Sequence, residues 1–67
     1  MNKNERNEKN KVVYEGYKKL EKQFSLIADI YSKRKENPDH KKIEEIYRMI
    51  SVRMGKIAEI YEQTILI

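Results

Sequence analysis

From residue 12 onward the apolar positions recur with a helical period. Val13, Tyr17, Leu20, Phe24, Ile27 and Tyr31 alternate four and three residues apart, with Ile30 beside them. That is the seam of an amphipathic helix sustained over nearly three heptads. The other positions are mostly Lys, Glu and Gln, which favour helix, and no proline interrupts them. The pattern stops at Ser32, and Lys33-Arg34-Lys35-Glu36 leads into Asn37-Pro38-Asp39. Asn is a good N-cap, Pro suits the first helical position, and Asp complements the positive end of a helix dipole. The spacing therefore predicts a first helix over about 12–35, a turn at 36–38, and a second helix over about 38–66. Residues 1–11 are polar throughout after Met1 and cannot bury enough surface to offset their ordering, so a flexible polar arm or a frayed first helical turn is expected there.

The second helix has a seam of its own, through Ile43, Ile46, Ile50, Arg53, Ile57, Ile60, Thr64 and Ile67. A column of Tyr47, Met54 and Tyr61 runs beside it. Two helices of similar length joined by a short turn make an antiparallel hairpin, so the fold class is all-α. Folding the chain about its turn sets Tyr31 near Ile46 and Tyr47, Phe24 near Arg53 and Met54, and Tyr17 near Ile60 and Tyr61. On each helix the apolar positions cover an arc of about 160°, wider than a two-stranded seam needs. One partner helix cannot cover that width, and two helices of this size rarely make a sufficient core. A homodimer, two hairpins forming a four-helix bundle, is the expected solution. Gly16 and Gly55 fall inside the helices and are candidate points of close backbone approach. Arg53 interrupts the seam and is expected to reach out to a carboxylate or to set register. The apolar tail Thr64-Ile65-Leu66-Ile67 also calls for a covering partner.

Composition narrows the classes. The 67 residues include no Cys and one His, carry a formal net charge of +4, and are 39% apolar and 39% charged. This length holds at most one small module. Without cysteine there is no disulfide framework, thiol nucleophile or Cys-type zinc site. No apolar run approaches the ~18 residues a membrane span needs, and no apolar core follows the basic start as in a secretory signal, so no membrane association is expected and the cytosol is the expected compartment. Lys, Asn, Ile and Tyr are abundant while Gly, Pro and Ala are scarce, a bias that fits an AT-rich genome such as that of a low-GC bacterium, its phages or plasmids, or some archaea.

Candidate chemistry is sparse. There is no phosphate-binding glycine loop, no HExxH, and no Ser-His-Asp spacing. Glu44, Glu45, Glu59 and Glu62 fall mostly on the outer face of the second helix, where no apolar pocket would tune them for acid–base work. A carboxylate metal bundle would need inward Glu with a Glu-x-x-His partner, which is missing. No catalytic residue, cofactor site or metal site is expected. His40 reads as a solvated first-turn residue. The basic residues gather at the turn, where Lys33, Arg34, Lys35, Lys41 and Lys42 with His40 form the candidate contact for an anionic partner. Nucleic acid ranks second as that partner. The helix faces are mixed in sign, and no aromatic residue interleaves with the basic turn as a stacking platform. The tyrosines read as seam residues.

Two resemblances follow from these residues. In length and topology the chain resembles the plasmid copy-number RNA-binding proteins that dimerise as helical hairpins, without a shared motif. The stretch 50–61 resembles the second helix of the small helical-hairpin aspartyl-phosphate phosphatases that regulate sporulation, with signature S-Q-E-L-D-K-L-I and a later Tyr. Ser51, Met54, Lys56, Ile57 and Tyr61 match by type and spacing, whereas Val52 and Arg53 replace Gln and Glu and Gly55 replaces the Asp. On that resemblance, the lost acidic residue argues against phosphatase activity and implies a hairpin that binds a protein partner. The expected function is therefore a non-enzymatic interaction module, a small regulator or inhibitor of a larger protein. Its seam would carry assembly, and the basic turn or the outward Val12, Leu26, Val52 and Leu66 would carry recognition. The alternatives are a nucleic-acid-binding dimer and a degenerate response-regulator phosphatase.

Overall fold

The computed structural model describes residues 3–34, 36 and 38–65, and among these it is entirely helix and turn. Helix α1 spans Lys3–Ser32 and helix α2 spans Pro38–Ile65. They lie against each other as an elongated hairpin of 54 × 15 × 13 Å. Contacts run its whole length. Asn10 donates its side-chain amide to the Thr64 hydroxyl at 2.9 Å near the open end, and Tyr31 meets His40 at the turn.

Helix α2 starts at Pro38 with Asp39 in its first turn, where a ready-made φ and a carboxylate suit a helix N-terminus. Asn37, expected as the N-cap, lies outside the described residues, as do Lys35, Leu66 and Ile67. The first helix departs from expectation at both ends. It begins at Lys3, not near residue 12. Extending a formed helix fixes one residue per added hydrogen bond, so a polar stretch can continue a helix that it could not nucleate. It ends at Ser32, short of residue 35. The Ser32 hydroxyl donates to the Asp29 carbonyl at 2.7 Å, and the amides of Lys33 and Arg34 reach back only three residues, to the carbonyls of Ile30 and Tyr31. Side-chain competition and a tightened last turn wind the helix down there.

The line between the helices is built from small residues. Ala28 is fully buried and Ala58 is 1% exposed, and they are joined by Ser51 and Gly55. No large side chain among the described residues is fully buried. The aliphatic members of the heptad seam therefore stand beside the line along which the helices of one chain meet, whereas its aromatic members reach across it. Leu20, Ile30, Ile46 and Ile60 are exposed, while Val13, Phe24, Ile27, Ile43, Ile50, Met54 and Ile57 are half-buried. Small side chains let the two backbones draw together, and the bulky ones are left standing to one side.

Rings fasten the hairpin where alanine and serine give way to larger residues. Tyr17 stacks on Tyr61 with centroids 6.0 Å apart. Tyr47 is held by two rings of α1, stacking on Phe24 at 5.9 Å and on Tyr31 at 5.9 Å. The Tyr31–Tyr47 and Tyr17–Tyr61 contacts follow the register expected from the sequence. Phe24 instead stacks nearer the turn than Met54, because Tyr47 fills the gap between two α1 rings one heptad apart.

Candidate functional site

The isoleucines fall on one broad side of the hairpin. At about 100° per residue, Val13, Gly16, Leu20, Phe24 and Ile27 stand between 40° and 120° to one side of Ala28. Ile43, Ile46, Ile50 and Ile57 stand about 60° to 120° to the same side of Ala58. Because the helices are antiparallel, rotations of the same sense open onto the same broad side. Ile30 and Ile60 mark its margins. Leu20, Ile30, Ile46 and Ile60 are 38, 52, 55 and 62% exposed. Between residues 13 and 31 of α1 the charge that reaches this side is Lys19, at its edge beside Gly16 and Leu20, and between 43 and 64 of α2 it is Arg53.

The opposite side is ionic. Lys18 pairs with Glu21 at 2.9 Å. Arg48 bridges Asp29 at 3.0 Å and Glu44 at 2.9 Å, tying α2 to α1. The hydrogen bond that Lys18 donates to Glu21, and the nearby Glu21 charge, hold the Lys18 ammonium above its ordinary range. Hydrogen bonds to Asp29 and then Glu44 do the same for the Arg48 guanidinium. Ser51, buried, donates its hydroxyl to the Glu21 carbonyl at 2.8 Å.

Two residues at the margins of the apolar side lack partners. Arg53, expected to reach a carboxylate, forms no ion pair or hydrogen bond with another described residue, and neither does Gln23, which stands at the same level on α1. The two glycines differ. Gly55 is buried, and an added β-carbon would run into the Glu21 carboxylate. At Gly16 an added β-carbon meets nothing within 4 Å. Gly16 forms the floor of a shallow groove with Val13, Tyr17, Lys19, Leu20 and Gln23 around it.

The turn is the second distinctive place. Lys33, Arg34, Lys41 and Lys42 are exposed there. Contrary to expectation, an aromatic residue does interleave with them. The Arg34 guanidinium lies 5.8 Å from the Tyr31 ring centre, and His40 meets the same ring edge-on at 5.6 Å. His40 is thus half-buried rather than solvated, and its Nδ1 is enclosed with no hydrogen-bond partner among the described residues. Sequence reasoning missed this cluster because it depends on how the chain turns back. The available signal was that the expected antiparallel register returns the start of α2 to Tyr31.

Elsewhere, the outward Val12, Leu26 and Val52 are 69, 52 and 55% exposed, joined by Met49 at 56%. In the phosphatase-like stretch, Ser51 and Gly55 are buried between the helices and Lys56 is exposed. Among the described residues no cluster of three His, Asp or Glu side chains could hold a metal, and no helix is long and apolar enough to cross a membrane. No protein-family model, curated protein or solved structure matches the chain.

Proposed function

We propose that this chain is a helical-hairpin interaction module. It pairs with a second copy of itself through the isoleucine side, giving a four-helix bundle. The bundle acts as a small, non-enzymatic cytosolic regulator or inhibitor that occupies a surface on a larger protein. One observation carries the pairing: a whole side of the hairpin presents exposed branched aliphatic residues with charge only at its margins, from Lys19 and Arg53, while the ion pairs of Lys18 and Arg48 lie on the other side. A contiguous apolar face of this kind is what an interface presents before its partner arrives. The interior supports the same reading. A line of Ala28, Ser51, Gly55 and Ala58 removes little apolar surface from water, and a chain of this length needs further burial. Leu26, Met49 and Val52 point away from the pairing side and remain on the outside of the bundle for the larger partner.

Sedimentation equilibrium at micromolar concentration tests the pairing. The expected mass is twice the 8.1 kDa of one chain. Ile46→Glu and Ile60→Glu, which alter side chains already exposed in one hairpin, return the single-chain mass. A stably helical wild-type species of single-chain mass would refute the pairing.

A second reading, nucleic-acid binding by the turn, is favoured by the Tyr31 ring shared between Arg34 and His40 beside Lys33, Lys41 and Lys42. Cations and a stacking surface meet there. Binding of a labelled RNA or DNA would weaken steeply from about 50 to 200 mM salt. No binding at the lower salt removes this reading.

A further inference from the structure

We infer that the two copies pair about a two-fold axis running along the helices, so that Arg53 meets the partner's Gln23 and both basic turns emerge at one end of the bundle. This rests on the pairing proposed above and specifies its geometry. Two identical hairpins can lay such sides together in two closed ways that keep neighbouring helices antiparallel. With the axis along the helices, α1 of each copy lies on α2 of the other. With the axis across them, α1 lies on α1 and α2 on α2, and the turns point in opposite directions.

The contacts within one chain decide which residues share a level. Tyr47 lies between Phe24 and Tyr31, Tyr31 between His40 and Tyr47, and Glu21 between Ser51 and Gly55, with Asn10 beside Thr64. On that scale Gly16 and Ile60, Leu20 and Ile57, Gln23 and Arg53, Ile27 and Ile50, and Ile30 and Ile46 each fall within one helical turn of a common level. A two-fold axis along the helices leaves every level unchanged, so these same pairs recur across the interface.

The match is good in shape and in polarity. Ile60, at 62% the most exposed isoleucine of this side, comes over the partner's Gly16. There an added β-carbon meets nothing in its own chain, and the groove around it stands open to receive a side chain. The two unpartnered polar residues come together as well. Arg53 and Gln23 each stand about 140° from the line where their own helices meet, so across the interface the Arg53 guanidinium can donate to the amide oxygen of the partner's Gln23. This happens once on each flank. The crosswise axis, centred on the apolar side, would instead lay Arg53 on the partner's Arg53. Two like charges would then face each other beside apolar surface, an arrangement that interfaces select against.

The chain has no cysteine, so Glu36→Cys gives one spin label per copy at the turn. Electron–electron dipolar spectroscopy should give an inter-copy distance within ~30 Å, the reach of two neighbouring helix pairs plus label arms. A distance near ~50 Å, approaching the 54 Å length of the hairpin, together with a dimer mass would overturn this geometry and leave the pairing intact. Single-chain mass with no inter-copy distance would overturn both. A second variant reads the flank directly. Gln23→Glu sets a carboxylate against the partner's Arg53 twice and should tighten the dimer about tenfold, as two exposed ion pairs supply. Under the crosswise axis it would face its own copy and weaken the dimer.

Discussion

The carboxylate of Glu21 occupies the place where Gly55 would otherwise carry a β-carbon. The glycine therefore marks where the side chain of Glu21 folds across α2. Glu21 is held there by Lys18, and the Glu21 side chain remains one-third exposed. Gly55→Ala pushes the carboxylate aside and loosens that ion pair. In return it removes the helical cost of glycine, about 1 kcal/mol relative to alanine. An exposed pair contributes less than that, so the variant should melt at the same temperature as the parent or slightly above it, by circular dichroism.

Gly16→Ala separates folding of one chain from association of two. Within a single hairpin the methyl enters open space and helix propensity rises by about 1 kcal/mol. In the proposed pairing the same methyl would take room that Ile60 of the other copy needs. Greater helicity at high dilution should therefore accompany a weaker dimer. An unchanged dimerisation constant would remove Gly16 from the interface.

Tyr47 joins two turns of α1 by stacking on Phe24 and Tyr31 together. Aromatic pairs contribute about 0.5–1.5 kcal/mol each beyond their area. Tyr47→Ala should therefore cost about 1–3 kcal/mol in urea denaturation from the loss of both pairs. Tyr47→Phe keeps both stacks and should stay close to the parent. An alanine variant as stable as the parent would show that the stacks contribute nothing.

His40 carries an enclosed ring nitrogen without a hydrogen-bond partner among the described residues. Such a group costs about 1–3 kcal/mol when kept from water. His40→Phe retains the edge contact to Tyr31 and removes the unsatisfied atom. A stabilisation of about 1 kcal/mol, read from the same urea titration, is the expected outcome. A loss of stability would mean that the nitrogen has a role at the turn.

Two helices packed as a hairpin were legible in the sequence because both signals are local. The three-four spacing from Val13 to Tyr31 reports helix, and Pro38-Asp39 reports where the second helix begins. The interior was not legible, for a physical reason. Counting apolar residues directs attention to leucine and isoleucine. Ala28, Ser51, Gly55 and Ala58 carry little hydrophobic signal, yet they let the helices meet and turn the larger residues outward. The one-sidedness of the isoleucines emerges only once that line is known. The start of α1 escaped because composition speaks to nucleation, whereas Lys3 to Lys11 are carried along by the helix that follows. The Arg34–Tyr31–His40 cluster escaped because it is assembled from both arms of the turn.

Between its stacked rings this hairpin has an interior of alanine, serine and glycine, a small apolar core for a folded chain. If most of the burial that keeps the chain folded is supplied by another molecule of the same kind, the folded fraction obeys mass action. The cell's stock of the protein then sets both its shape and its lifetime against proteases, and a drop in synthesis switches it off without any dedicated signal.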